Sequence, residues 1–253
     1  MLSRGKEGIP MKKALALLLC CLLLPIPCRG EGALTDAECF SYYQHAFFIG
    51  DSITRTFANY VYGQRQEDPT FLAGAKFFAV KNYALRSVSS RGLSSNGADL
   101  QWNGRAVSLY EIVELLRPER VLVLAGVNDY AGEHIEKSLT YVEKMAQNLG
   151  KASPDTQIIM ISLTPVAPKF CRKTNYQALW DDYNAALEEA CARLGLGFLD
   201  LASYLKGEDG YLLPDYCGDG EYHLSRAGNA QWAQALLDYA QAAYAAGEWS
   251  PKE

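Results

Sequence analysis

Five short, uninterrupted apolar runs separated by amphipathic stretches constrain this chain more than any other feature. They are Ala-Phe-Phe-Ile-Gly-Asp at 46–51, Phe-Phe-Ala-Val at 77–80, Val-Leu-Val-Leu-Ala at 121–125, Ile-Ile-Met-Ile at 158–161 and Gly-Phe-Leu-Asp at 197–200. A run that is apolar at every position suits a strand covered on both faces, the condition of a parallel sheet. Between the runs, apolar residues recur at helical spacing. One set runs from Val107 through Tyr110, Ile112 and Val113 to Leu116 and stops at Pro118; others are Ile135, Leu139, Val142, Met145 and Leu179, Tyr183, Leu187, Ala190. A last helix follows Ser225, a good N-cap residue, and carries Trp232, Leu236 and Tyr239. Strand alternating with helix predicts a doubly wound α/β sheet in one domain, with its chemistry in loops at the carboxyl ends of the strands. The Ser-, Gly- and Asn-rich stretch 86–103 reads as a long surface loop.

The first 30 residues are set apart from that domain. Lys12 and Lys13 precede an apolar run from Ala14 to Leu24, followed by Pro25 and Pro27. A membrane span needs about 20 apolar residues, so residues 1–30 read as a secretory signal peptide, with Met11 an alternative start, and 31–253 as the mature domain. Export leaves Cys39, Cys171, Cys191 and Cys217, which either form two disulfides or stay as free thiols. They show no zinc-ligand spacing. The formal net charge is −5, with no basic run to neutralise phosphates, which excludes nucleic acid as an expected partner.

Three segments carry chemistry-bearing residues. Gly50-Asp51-Ser52 ends the first apolar run, which places Ser52 at a strand-to-helix turn, exposed beside helix amides. Gly126-Val127-Asn128-Asp129 ends the third, where an Asn amide can serve as an oxyanion donor. Asp219-Gly-Glu-Tyr-His223 lies just before the last helix. A serine hydroxyl needs a base to take its proton and a carboxylate to hold that base in the right tautomer. Of the three histidines, only His223 has carboxylates beside it and a helix start after it; His134 reads as surface and His45 as the edge of the first strand. Each segment alone has a plain structural reading, as a helix cap, an Asx turn or a loop histidine.

Taken together and in this order, the segments resemble the SGNH (GDSL-like) hydrolase family over about Phe47 to Leu237. Thr164-Pro165-Val166 and Tyr183-Asn184 add to the likeness. The resemblance implies a flavodoxin-like three-layer sandwich with a central, mostly parallel five-stranded sheet. It also implies ester hydrolysis through an acyl-serine, with no metal and no cofactor. By that likeness Ser52 is the nucleophile, Asn128 an oxyanion donor and His223 the base. The sequence departs from the family pattern twice. The family's acid lies three residues before the His, where this chain has Gly220; Asp219 is expected to serve instead, with Glu221 or a backbone carbonyl as alternatives. The family's oxyanion glycine falls at Ser87, whose backbone N–H is expected to donate beside that of Ser52.

The expected function is therefore an exported serine esterase acting on short acyl esters, acetyl above all, on carbohydrate or cell-wall glycans. Trp102 and Tyr130 are the aromatics available to pack on a sugar ring, with a plain core role as the equal alternative. No long apolar lid favours a lipase. A lipid esterase and an O-acyltransferase remain enzyme alternatives, and a surface or binding protein that kept the fold but lost activity is the rival of another class.

Overall fold

A computed structural model describes residues 33–93 and 97–251; the expected signal segment lies outside them. The five apolar runs all become strands: β1 (Ala46–Gly50), β2 (Lys76–Ala79), β5 (Arg120–Leu124), β6 (Gln157–Ile161) and β7 (Gly197–Leu199). They form one sheet in the order β2-β1-β5-β6-β7, every pair parallel. The burial pattern explains why the runs lack alternation. Phe47, Ile49, Val121, Val123 and Met160 face one core; Ala46, Phe48, Leu122, Leu124 and Ile161 face a second on the other side of the sheet.

Helices cover both faces. The first core is closed by α3 (Leu85–Ser89), α4 (Leu109–Leu116), α5 (Ile135–Ala152) and α6 (Tyr176–Leu194). The second is closed by α1 (Asp36–Ser41), α2 (Ser52–Glu67) and α7 (Arg226–Ala245). The α/β sandwich read from the sequence is thus the fold observed. Ser225 caps α7 as expected, its Oγ accepting the Gly228 N–H at 3.1 Å.

The stretch 86–103 corrects the reading as plain loop. Its first residues are in α3, which buries Leu85 and Val88, and its last are in β3 (Leu100–Trp102), paired antiparallel with β4 (Arg105–Val107). Val107 consequently belongs to β4, and α4 begins at Leu109 behind the Ser108 cap. Cys39, Cys171, Cys191 and Cys217 are all free thiols, the second of the two expectations held for them.

Candidate active site

The turn after β1 is built around missing volume. A Cβ on Gly50 would lie 2.1 Å from Thr54 Oγ1 and 2.6 Å from the Leu124 carbonyl oxygen. Only glycine lets α2 start so tightly over the neighbouring strand. Asp51 then caps α2, its Oδ1 accepting the Ile53 N–H at 2.9 Å, and Ser52 is the first helical residue. The Ser52 N–H therefore has no carbonyl a turn behind it, and it sits at the positive end of the helix.

His223 reaches this serine from the loop before α7. Its Nε2 lies 2.9 Å from Ser52 Oγ, and its Nδ1 lies 2.5 Å from Asp219 Oδ2. Loop 218–223 is closed by the Gly218 N–H donating to the His223 carbonyl at 2.7 Å, next to a bridge between Cys217 and Leu224. Asp219 organises its interior. Oδ1 accepts the backbone N–H groups of Glu221, Tyr222 and His223 at 2.7, 3.0 and 3.3 Å, which frees Oδ2 for the imidazole. Gly220 takes φ +76°, so the extra residue between acid and base is absorbed in a left-handed turn. Asp219, and not Glu221, is the carboxylate against the ring. Partial burial pushes the Asp219 pKa up, but hydrogen bonds from His223 and from the Glu221 amide, with the His223 charge, hold it below the ordinary value. Tyr222 lies against the imidazole with ring centroids 4.6 Å apart.

Asn128 comes from the turn after β5, which bends at Gly126 with φ +145°. Its Nδ2 donates to Asp51 Oδ2 at 2.9 Å and to the Tyr83 carbonyl at 3.0 Å. The amide is thus fixed against the residue preceding Ser52. Asp51 is 1 % exposed, and burial pushes its carboxyl up to about 6, against the opposing Ile53 N–H and the His223 charge. The partner of Asn128 in the motif, Asp129, does structural work: its carboxylate accepts the N–H groups of Leu85 and Arg86 at the start of α3 and pairs with the Arg86 guanidinium.

One expectation is corrected here. Ser87 lies inside α3, and its N–H is committed to the Ala84 carbonyl at 2.9 Å, so it is not presented to an oxyanion. Trp102 packs on Phe78 beside the first core, the second of the two roles open to it. Tyr130 does border the site. With Asn128, Phe170, Tyr176, Trp180 and Tyr222 it lines a cleft of about 180 Å³. The sequence reading missed the last four, because aromatics scattered over a loop and a helix carry no motif. Among the described residues no His, Cys, Asp and Glu cluster is set to hold a metal.

A family model, the GDSL-like Lipase/Acylhydrolase family, matches residues 48–231. No curated protein matches the chain. Among solved structures, a GDSL-like lipase from Bacteroides thetaiotaomicron is 20 % identical with a TM-score of 0.59, covering 78 % of this chain and 88 % of its own. A catalytic mutant of Axe2, an acetylxylan esterase from Geobacillus stearothermophilus, is 17 % identical with a TM-score of 0.53, covering 77 % and 93 %. At these identities the likeness is one of fold.

Proposed function

This chain belongs to the GDSL-like lipase/acylhydrolase family and is an ester-hydrolysing enzyme, and we propose that it cleaves short acyl esters of carbohydrate through an acyl-Ser52 intermediate. The observation that carries this reading is the single line of contacts from Ser52 Oγ to His223 Nε2 and from His223 Nδ1 to Asp219 Oδ2. With Asp219 accepting at Nδ1–H, the ring's Nε2 is left as the acceptor for the serine proton.

In the proposed reaction, Ser52 Oγ attacks the ester carbonyl carbon while its proton passes to His223 Nε2. Negative charge gathers on the carbonyl oxygen, where the Ser52 N–H and Asn128 Nδ2 are the donors. Both hydrogens of the Asn128 amide are engaged in the resting site, so the oxyanion shares one of them with Asp51 or Tyr83. The intermediate collapses, the alcohol leaves with the proton from Nε2, and water repeats the steps to release the acid and restore Ser52. A cleft of about 180 Å³ walled by aromatic rings favours a small acyl group over a long chain. Tyr130, 58 % exposed at its rim, offers a ring face to a sugar. Secretion is part of the same proposal and rests on the basic and apolar segment at residues 12–24; among the described residues no helix is long and apolar enough to cross a membrane.

The test compares the wild type with Ser52→Ala on p-nitrophenyl acetate and on longer-chain esters, with a serine-directed phosphonate followed by intact mass. Turnover confined to short chains, and labelling lost with Ser52→Ala, is the expected result. A folded wild type that neither labels nor turns over would return the chain to the binding-protein reading.

A further inference from the structure

β1 and β5 run side by side with Gly50 opposite Leu124, so the turns that follow them, carrying Asp51 and Asn128, leave the sheet as neighbours. Asp51 joins the two turns. Its Oδ1 accepts the Ile53 N–H at 2.9 Å, inside the turn that presents Ser52, and its Oδ2 accepts Asn128 Nδ2 at 2.9 Å. The Tyr83 carbonyl, from the loop after β2, accepts the same Nδ2 at 3.0 Å.

Helix capping alone does not account for a carboxylate at this position. Ser or Asn satisfies an N-terminal amide as well as Asp does, and Asp51 is 1 % exposed, where a charge is costly to hold. Burial pushes its carboxyl up to about 6, against the Ile53 N–H and the His223 charge, so the group is ionised at neutral pH at a cost in stability. What capping leaves unexplained is Oδ2. A side-chain amide has nearly the same shape in its two orientations, and its partners decide which end faces which way. An ionised carboxylate and a backbone carbonyl can only accept. Asp51 and Tyr83 therefore take the NH₂ end of Asn128 and repel its Oδ1. An amide side chain at position 51 would offer a donor in place of Oδ2, and that discrimination would be lost.

We propose that Asp51 is a positioning residue of the oxyanion site: through Oδ2 it keeps the NH₂ end of Asn128 turned toward the Ser52 turn, and through Oδ1 it locks that amide to the backbone presenting the nucleophile. The proposal rests on the reading of Ser52 as nucleophile and Asn128 as oxyanion donor. Asp51 acts through Asn128 and not on the substrate. In Asp51→Asn the side chain keeps its size, and its carbonyl oxygen keeps the cap on the Ile53 N–H. Its NH₂ then faces Asn128 Nδ2, the two donors repel, the Asn128 amide turns over, and the oxyanion loses that donor. Because the buried charge is removed at the same time, this variant should melt no lower than the wild type at neutral pH while turning over more slowly. A purely structural role would not separate the two readouts in that way.

The experiment measures kcat and KM of the full chain on p-nitrophenyl acetate at neutral pH, with a thermal melt of each protein. The variants are Asp51→Asn, Asp51→Ser, Asn128→Ala and the double variant Asp51→Asn with Asn128→Ala. Asp51→Ser keeps a capping hydroxyl but is too short to reach Asn128, so it tests the same contact without introducing a second NH₂. The expected result is a kcat about 10²-fold lower in both position-51 variants, with KM within a factor of a few, the loss typical of one missing oxyanion donor. The double variant should be no more than about threefold slower than Asn128→Ala alone, where independent residues would multiply their losses. A kcat within about threefold of the wild type in either folded position-51 variant, or a double variant that loses the full product, overturns the positioning role. Failure of the underlying reading looks different: Asn128→Ala would then keep the wild-type rate, or Ser52→Ala would still turn over the ester.

Discussion

Asp219→Asn isolates the contact on which the proposed chemistry turns. The substitution keeps the shape of the side chain, so its carbonyl oxygen still accepts the three loop amides at 2.7, 3.0 and 3.3 Å. Its NH₂ then stands where Oδ2 stood, 2.5 Å from His223 Nδ1. Two N–H donors cannot face each other at that distance. The imidazole must shift its proton to Nε2, which lies 2.9 Å from Ser52 Oγ and can no longer accept the serine proton. Rotating the amide is no escape, because it would set the NH₂ against three backbone N–H groups. In a Ser–His–Asp triad the wrong tautomer lowers kcat about 10⁴-fold, which corresponds to about 5.4 kcal/mol of barrier. The assay is kcat on p-nitrophenyl acetate beside a thermal melt. We expect the full loss in kcat, a KM within a factor of a few, because Asp219 is placed against the imidazole and not in the cleft, and a nearly unchanged melting temperature. A loss below tenfold in a folded protein would show that the ring's orientation does not depend on Asp219, and the argument from the loop geometry would fall.

Two other predictions test the neighbours of this contact. Asn128→Ala should lower kcat by about 10² to 10³ with little change in KM; a kinetically silent variant, measured on the same ester, would remove Asn128 from the oxyanion site. Asp51 carries a pH signature. Its carboxyl is raised from 3.8 to about 6, so between those values the unfolded chain ionises while the folded protein holds its proton, and stability falls as pH rises. At about 1.36 kcal/mol per pH unit the gap amounts to about 3 kcal/mol. Urea midpoints at pH 4, 5, 6 and 7 for wild type and Asp51→Asn should therefore converge toward low pH and separate above it, with the wild type losing ground; parallel profiles would show that Asp51 ionises no differently in the folded protein.

The sheet was legible because burial on both faces leaves no polar residue to interrupt a strand. The runs at 46–51 and 121–125 end at Asp51 and Ala125, one residue past the strand ends at Gly50 and Leu124. What escaped was structure too short to repeat a pattern. α3 has five residues and β3 and β4 three each, less than two full periods of a face. One signal was present and unread: Asn103-Gly104, with φ of 49° and 76°, is the two-residue turn that joins β3 to β4. The cleft aromatics escaped for another reason. Phe170, Trp180 and Tyr222 come from three separate segments, and only the fold brings them within about 6 Å of one another.

The same distinction explains how the sequence served and misled at the site. A motif reports which side chains a turn presents: Ser52 follows Gly50, which has no room for a side chain, Asn128 follows Gly126, whose φ of +145° favours glycine, and His223 follows the left-handed Gly220. Spacing, by contrast, reports distance along the chain, which a flexible residue can cancel. The additional residue between Asp219 and His223 departs from the family spacing, yet Gly220 absorbs it in a left-handed turn and the carboxylate arrives 2.5 Å from the ring. At position 87 the reverse happened. Alignment of the loop suggested an amide in the right place, but the chain there winds into α3 and spends that amide on Ala84. Sequence position therefore identifies a side-chain role more securely than a backbone one, since a side chain keeps its chemistry in any local conformation and an N–H is available only where the backbone leaves it unpaired.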